Sequence, residues 1–362
     1  MGNRSRRGIP GIDQRSRQVA TGKTLPSSGI CGHYPRMARA RRPTAKICGL
    51  LLAMVSLWNC GAPPVSPPKP LPLHISAGGR RGYSYQMGEA LAKALSSRDP
   101  GYTVDLQTTE DLGTVQSIQG GTSDCGFTSA NIAYEAFAGR LPDDPRRYDR
   151  LRGVALVQLV PLHLLVRKGS TIHDVSDFRG RGLAIGTPGG ATSRVATLVL
   201  HAYGLGRDSV QIVEEGAGKV LPLLRSGKLE GAFLLYGQTT QGRSNGSDQT
   251  EQTVDVLPLY GAPIDRLRQE YPFIRPALIL AGQYPDQREA IRTIGVDTMI
   301  ICRSDLEPER VQDVTDAWFR ATNHLLESSF KFDTVSSNLA SATPIPLHEG
   351  ATRYYRAKRM TP

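Results

Sequence analysis

The sequence predicts an α/β protein of two lobes with a ligand cleft between them, and three observations lead there. From Leu73 onward, short apolar runs suited to strands alternate with segments whose apolar residues recur at helical spacing. This series occurs twice, and a nearly continuous apolar run, Val154 to Val166, is long enough to leave one lobe and enter the next. The stretch Leu183 to Gly206, LAIGTPGGATSRVATLVLHAYGLG, reads as strand, glycine-rich turn and helix. Such a turn presents the free N–H groups and positive dipole end of a helix start, a seat for a carboxylate or phosphate. It fits neither GxGxxG nor the P-loop pattern, so a nucleotide is not what it asks for.

The first series opens with a strand at Leu73–Ala77, a glycine loop Gly78–Gly82 and a helix over Tyr83–Leu95. A strand at Tyr102–Gln107, a short helix at Thr114–Ile118, a strand at Cys125–Thr128 and a helix at Ala130–Ala138 follow. The second series has strands at Leu183–Ile185, Gln211–Val213 and Ala232–Tyr236, with helices over 193–203 and 217–225. The polar segment Gly237–Gln252 reads as a loop. Beyond it come a strand at Val254–Leu259, a helix at Ile264–Glu270, a strand at Gly295–Arg303 and a long helix at Pro308–Leu326. Alternating βα units predict parallel sheets with helices on both faces and ligands near the strands' carboxyl ends.

The 362 residues leave room for two cores, and 39% hydrophobic with 21% charged residues is ordinary for a globular chain. The net charge of +11 suggests a polyanionic partner until its distribution is read. Residues 1–59 hold eleven Lys/Arg against one acid, so the remainder is close to neutral and no nucleic-acid partner is expected. Residues 1–36 lack periodicity and read as a disordered or mis-assigned extension. From Met37 a basic segment precedes twelve apolar residues, Ile47–Trp58, too short to span a bilayer but suited to a signal-peptide core over 37–59. Cys60 follows at once, then a Pro-rich tether to residue 72; this resembles a bacterial lipoprotein signal with Cys60 lipidated, and places the protein in the periplasm. Cys125 and Cys302, in short apolar runs, read as buried small hydrophobes, with a disulfide the alternative in an oxidising compartment. No cysteine or carboxylate group has metal-ligand spacing, and no cofactor is expected.

Several motifs in order resemble one family, the TAXI-type extracytoplasmic receptors of TRAP transporters. They are Ala77-Gly-Gly-Arg-Arg-Gly-Tyr-Ser-Tyr-Gln-Met-Gly, Pro161-Leu-His-Leu-Leu-Val-Arg, the Leu183–Thr192 strand and loop, and Ala281-Gly-Gln-Tyr-Pro-Asp-Gln with Thr293-Ile-Gly-Val. The C-terminal Pro344-Ile-Pro-Leu-His-Glu-Gly-Ala-Thr-Arg-Tyr-Tyr-Arg is the strongest of them. The resemblance covers 73–358 and implies a type II periplasmic binding protein fold. It also implies capture of a small organic acid or amino acid, dicarboxylate or glutamate-like, for a TRAP-type membrane permease. Lobe one is expected from 73–160 with 285–362, and lobe two from 161–284. The chain departs from the family at Thr114-Val115-Gln116-Ser117, Ser129-Ala130-Asn131, Gln158-Leu159-Val160 and after Gly237, all near the cleft.

The expected ligand contacts are Thr187, Gly189, Gly190, Ala191 and Thr192 through N–H and hydroxyl groups. Gly79, Tyr83 and Tyr85 belong to the first glycine loop and helix start, with Thr114, Ser129, Asn131 and Gly237 completing the set. Tyr83 and Tyr85 can equally pack, and Ser129 and Asn131 can serve as helix caps. His163 reads as a core or hinge histidine and His348 as a structural turn residue. An exported hydrolase is the rival class, but no GxSxG, HExxH or His near an acid in a recognised motif supports catalysis. A ligand sensor or surface antigen without a transporter is the other.

Overall fold

The structure is a computed structural model and describes residues 71–80, 82–98, 101–236, 254–284, 286–327 and 335–360. The leader, Cys60 and Gly237 lie outside the described residues. In the first lobe, β1 (Leu71–Ala77), α1 (Tyr83–Ser96), β2 (Tyr102–Thr108), α2 (Asp111–Gly120), β3 (Cys125–Ser129) and α3 (Ala130–Ala138) follow in turn. Strand β4 (Leu151–Arg167) then carries the chain across. The second lobe contains β5 (Gly182–Ala184), α4 (Ala191–Ala202), β6 (Gln211–Val213), α5 (Ala217–Arg225), β7 (Gly231–Leu235), β8 (Val254–Leu257) and α6 (Ala262–Glu270). After β9 (Arg275–Ile279), strand β10 (Ile291–Arg303) returns to the first lobe, where α7 (Pro308–Glu327) and α8 (Glu349–Lys358) complete it.

The strand path is β2-β1-β3-β10-β4-β7-β5-β6, with β8 on β4 and β9 on β10. The βα series is parallel, as β1 is to β2 and β3, and β5 to β6 and β7. The connecting strands are antiparallel, which the expectation of parallel sheets did not include. The reason is topological: β4 leaves the first lobe and β10 comes back into it, so the two must run in opposite directions side by side. Hydrogen bonding is therefore continuous from lobe to lobe through these two strands. The partner of β4 changes from β10 to β7 between Pro161 and Leu162.

That crossing has local causes. Pro161 cannot donate to a ladder, and it lies opposite Gly295 where the pairing changes. A Cβ on Gly295 would meet the Val160 carbonyl oxygen at 2.8 Å, so only glycine fits. The Thr293 hydroxyl ties the site by donating to the Leu162 carbonyl at 2.6 Å. Burial on both faces explains why β4 and β10 read as nearly unbroken apolar runs.

Leu73, Ile75, Met87, Leu91, Phe127 and Trp318 anchor the core of the first lobe. Within it Cys125 and Cys302, paired across β3 and β10, form a disulfide with Cα atoms 4.0 Å apart. Both are fully buried as expected, but they are bonded to each other rather than packed as free thiols. The C-terminal motif Pro344–Arg356 is structural. His348 caps α8 by accepting from the Gly350 N–H at 3.1 Å, and a Cβ on Gly350 would collide with the Pro308 carbonyl. Tyr355 donates to the Val154 carbonyl at 2.8 Å, and Tyr354 stacks on Phe319. Among the described residues no helix is long and apolar enough to cross a membrane.

Candidate functional site

Four helices begin at one cavity of about 820 Å³. Tyr83 and Ser84 of α1 and Glu110 to Gly113 of α2 come from the first lobe, with Ser129 ahead of α3. Thr187 to Thr192, ahead of and opening α4, come from the second lobe, and the floor is Gln158 and Val160 of β4 with Val296 and Thr298 of β10. None of the four helices has a side-chain cap. Their first N–H groups have no carbonyl within the helix to bond, and in α1, α2 and α4 the first-turn residues themselves line the cavity.

The 187–192 turn shows why its sequence is glycine-rich. Gly186 and Gly189 have φ of 98° and 68°, a region that side chains disfavour. The Gly190 N–H closes the turn on the Thr187 carbonyl at 3.1 Å, and the Arg194 N–H makes the first helical bond to Gly190. The Thr192 hydroxyl accepts from the Leu235 N–H at 3.3 Å, fixing the helix start to the end of β7.

The first lobe offers the opposite charge. Asp111 accepts from the Ser129 N–H at 3.1 Å and from the Ser129 hydroxyl at 2.8 Å. Burial pushes its carboxyl above the usual range, opposed by those two bonds and assisted by the nearby Glu110 charge. Glu110 and Asp111 are the charged groups of the lining, with no Lys, Arg or His beside them among the described residues. No group of three His, Cys, Asp or Glu is placed to hold a metal ion among the described residues.

Tyr83, Ser129, Thr187, Gly189, Gly190, Ala191 and Thr192, all expected from the sequence, line this cavity. Four others are placed elsewhere. Gly79 lies in an exposed turn, accepting from the Gly82 N–H at 2.7 Å. Tyr85 packs against the core of the first lobe. Thr114 is buried against Gly126, its hydroxyl 2.7 Å from that of Thr109. Asn131 is buried and reaches the other lobe, donating from Nδ2 to the Ala191 carbonyl at 3.2 Å. Asp111, Gln158 and Thr298 are lining residues that sequence reasoning did not select. Gln158 did carry a signal, as one of the departures from the family pattern near the cleft.

A second cavity, of about 710 Å³, lies against the alternate residues of the same strand, Leu159 and Pro161. Its lining is mostly apolar, with Tyr260, Leu278 and Leu280 partly exposed, and its charges are already engaged. The Arg292 guanidinium lies 4.4 Å over the Tyr260 ring, and Arg268 pairs with Asp265. The first cavity is the one with unengaged donors.

Residues 75–358 match the model of the NMT1-like family. The chain belongs to the NMT1-like family. Among solved structures, this NMT1-like protein is similar to the periplasmic aliphatic sulphonate binding protein SsuA from Escherichia coli. Identity there is 16% over 80% of this chain and 84% of that chain, with a TM-score of 0.47. It is also similar to PhnD1 from Prochlorococcus marinus in complex with methylphosphonate, at 11% identity over 81% of this chain and 100% of that chain, with a TM-score of 0.49.

Proposed function

We propose that this protein is an exported receptor that captures a small zwitterion, an α-amino acid or close relative, in the cleft between its lobes. One observation carries the reading: a cavity with uncapped N–H groups of α4 on one wall and the Asp111 carboxylate on the other. A carboxylate is stabilised at the helix start, and an ammonium group is held by Asp111 through a charge-assisted bond. A dicarboxylate, the other ligand suggested by the sequence, would bring a second negative charge toward Glu110 and Asp111. The amino acid is therefore the better fit.

The membrane partner implied by the TAXI-type resemblance is a TRAP-type permease subunit, and a lipid anchor at Cys60 belongs to the same reading. The Cys125–Cys302 disulfide supports a periplasmic, oxidising location. The lobe boundaries we propose are those at which the partner of β4 changes, near residue 161, with return through β10.

The test is a melting screen of the mature protein with L-amino acids, the matching desamino acids and the matching amines. Binding to the native state alone must raise the melting temperature. Amino acids should do so and both truncated series should not. Asp111→Asn should weaken the binding about tenfold or more, the scale of a lost charge-assisted bond. Wild-type binding should also fade on acidification, as Asp111 takes up a proton at a pH above the ordinary carboxylate range. A panel without any shift, or one in which desamino acids bind as well as amino acids, would overturn the assignment.

A further inference from the structure

The floor of the cleft contains a donor with nothing to bond. Gln158 is 1% exposed, it lines the cavity, and its Nε2 has no hydrogen-bond partner. A buried amide left unpaired is destabilising, and native interiors keep few of them. The backbone beside it is irregular. Thr298 of β10 pairs with Gln158, but Met299 pairs with Leu156, so Val157 is an extra residue on β4. Its carbonyl turns out of the ladder to accept from the Val335 N–H at 3.0 Å. A bulge of this kind re-aims the neighbouring side chain and is favoured next to sites. Beside Gln158, Thr298 also lines the floor.

We infer that Gln158 is the specificity-determining residue of the cleft, donating from Nε2 to an oxygen acceptor at the end of the ligand remote from α4. The solute class is thereby narrowed to molecules with a side-chain carbonyl, carboxylate or sulfonyl oxygen, and this rests on the receptor reading above. An apolar side chain of the same length would leave the donor buried and unpaired, and would be rejected for that reason.

The experiment compares L-glutamine with L-norleucine by calorimetry on the mature protein, wild type and Gln158→Met, alongside unliganded melting. The wild type should prefer glutamine by about tenfold or more, the scale of one buried hydrogen bond. In Gln158→Met the preference should fall to near unity through loss of glutamine affinity alone. The unliganded variant should melt no lower than the wild type, since it removes an unpaired donor and keeps the volume. A wild type indifferent to the two ligands, or a variant that keeps the preference, overturns the inference and leaves the receptor reading standing. A variant that melts several degrees lower and weakens both ligands equally assigns Gln158 a structural role, also against the inference. If neither amino acid binds the wild type, the receptor reading falls and the inference with it.

Discussion

Beside the crossing strands, the two lobes face each other at a seam and at a cavity, and they do so in opposite ways. Along the seam between α3 and α4 the side-chain donors find protein partners in the other lobe, although the buried Asn131 Oδ1 accepts from nothing. Glu135 of α3 and Arg194 of α4 form a buried ion pair at 2.5 Å, Asn131 reaches the Ala191 carbonyl, and Tyr134 packs against Phe273 at 5.3 Å. Ile132, Ala133 and Ala136 share one apolar core with Val195, Val199 and Phe273. A few residues away, at the cavity, the same helix start offers uncapped N–H groups, and Gln158 has an unpaired donor. The contrast separates polar groups that hold the lobes together from polar groups left for something else. Residue type does not make this distinction, because an Asn serves the seam and a Gln the cavity.

The largest expected effect comes from breaking the seam. Glu135→Leu leaves the Arg194 guanidinium buried without its partner, and losing half of a buried pair costs about 3–5 kcal/mol of stability. Replacing both, Glu135→Leu with Arg194→Met, should recover most of that, since an apolar pair of similar volume is often neutral. Arg194 Nε also donates to the Gly189 carbonyl at 3.1 Å, so the double variant loosens the turn on the cavity side. Chemical denaturation and ligand titration together should then show stability regained and affinity still reduced. A single variant as stable as wild type would show that the seam is not the structural half of the comparison.

The next effect tests a buried polar group on the crossing strand. His163 is fully buried on β4, its Nδ1 2.8 Å from the Tyr284 hydroxyl, with the Tyr236 ring alongside. Burial lowers its pKa to about 4 from an ordinary 6.5. A lowered value means the neutral form is favoured in the folded state. The associated stability is whole above about pH 6.5 and is lost as pH falls toward 4, up to about 3 kcal/mol if the full difference is realised. Glu135, Asp297 and Asp111 have raised values from burial, so their protonation on the same descent acts in the opposite sense. The difference between wild type and His163→Gln, measured by denaturation from pH 7.5 to 4, isolates the histidine. A pH-independent difference would count against a buried neutral ring.

The sequence made the fold largely legible because period and punctuation are local properties. Apolar runs, glycine turns and helical spacing marked most elements in order, and the 187–192 turn was readable because Gly186 and Gly189 need a backbone that side chains disfavour. Strand β9 and helix α8 were not separated from their surroundings: β9 is five residues long, and α8 is mostly polar, docked by His348, Gly350 and Tyr355. The site was half legible. Helix starts announce themselves, but whether a polar side chain faces a cavity or a neighbouring helix depends on packing between segments far apart in the chain. Asn131 and Ala191 are 60 residues apart, and Thr298 meets Gln158 only because β10 returns beside a bulge. The Cys125–Cys302 bond, spanning 177 residues, belongs to the same class of information.

The smallest effect falls where the two kinds of polar group meet. Ser129 sits at the N-cap position of α3, yet its hydroxyl donates to Asp111 instead of capping its own helix. It therefore contributes little as a cap, and Ser129→Ala should cost no more than about 1 kcal/mol, the scale of one hydrogen bond. Its influence should appear in the cavity. The hydroxyl bond stabilises the ionised form of Asp111, so removing it raises that carboxyl further and makes the neutral acid more common. Amino-acid affinity at neutral pH should be almost unchanged, while the acid limb of the affinity–pH curve moves toward higher pH. Calorimetric titrations of the wild type and variant from pH 8 to pH 4 give the curve directly. An unmoved acid limb would mean that the protonation of Asp111 does not control binding. A stability loss of several kcal/mol would place Ser129 with the seam rather than the site.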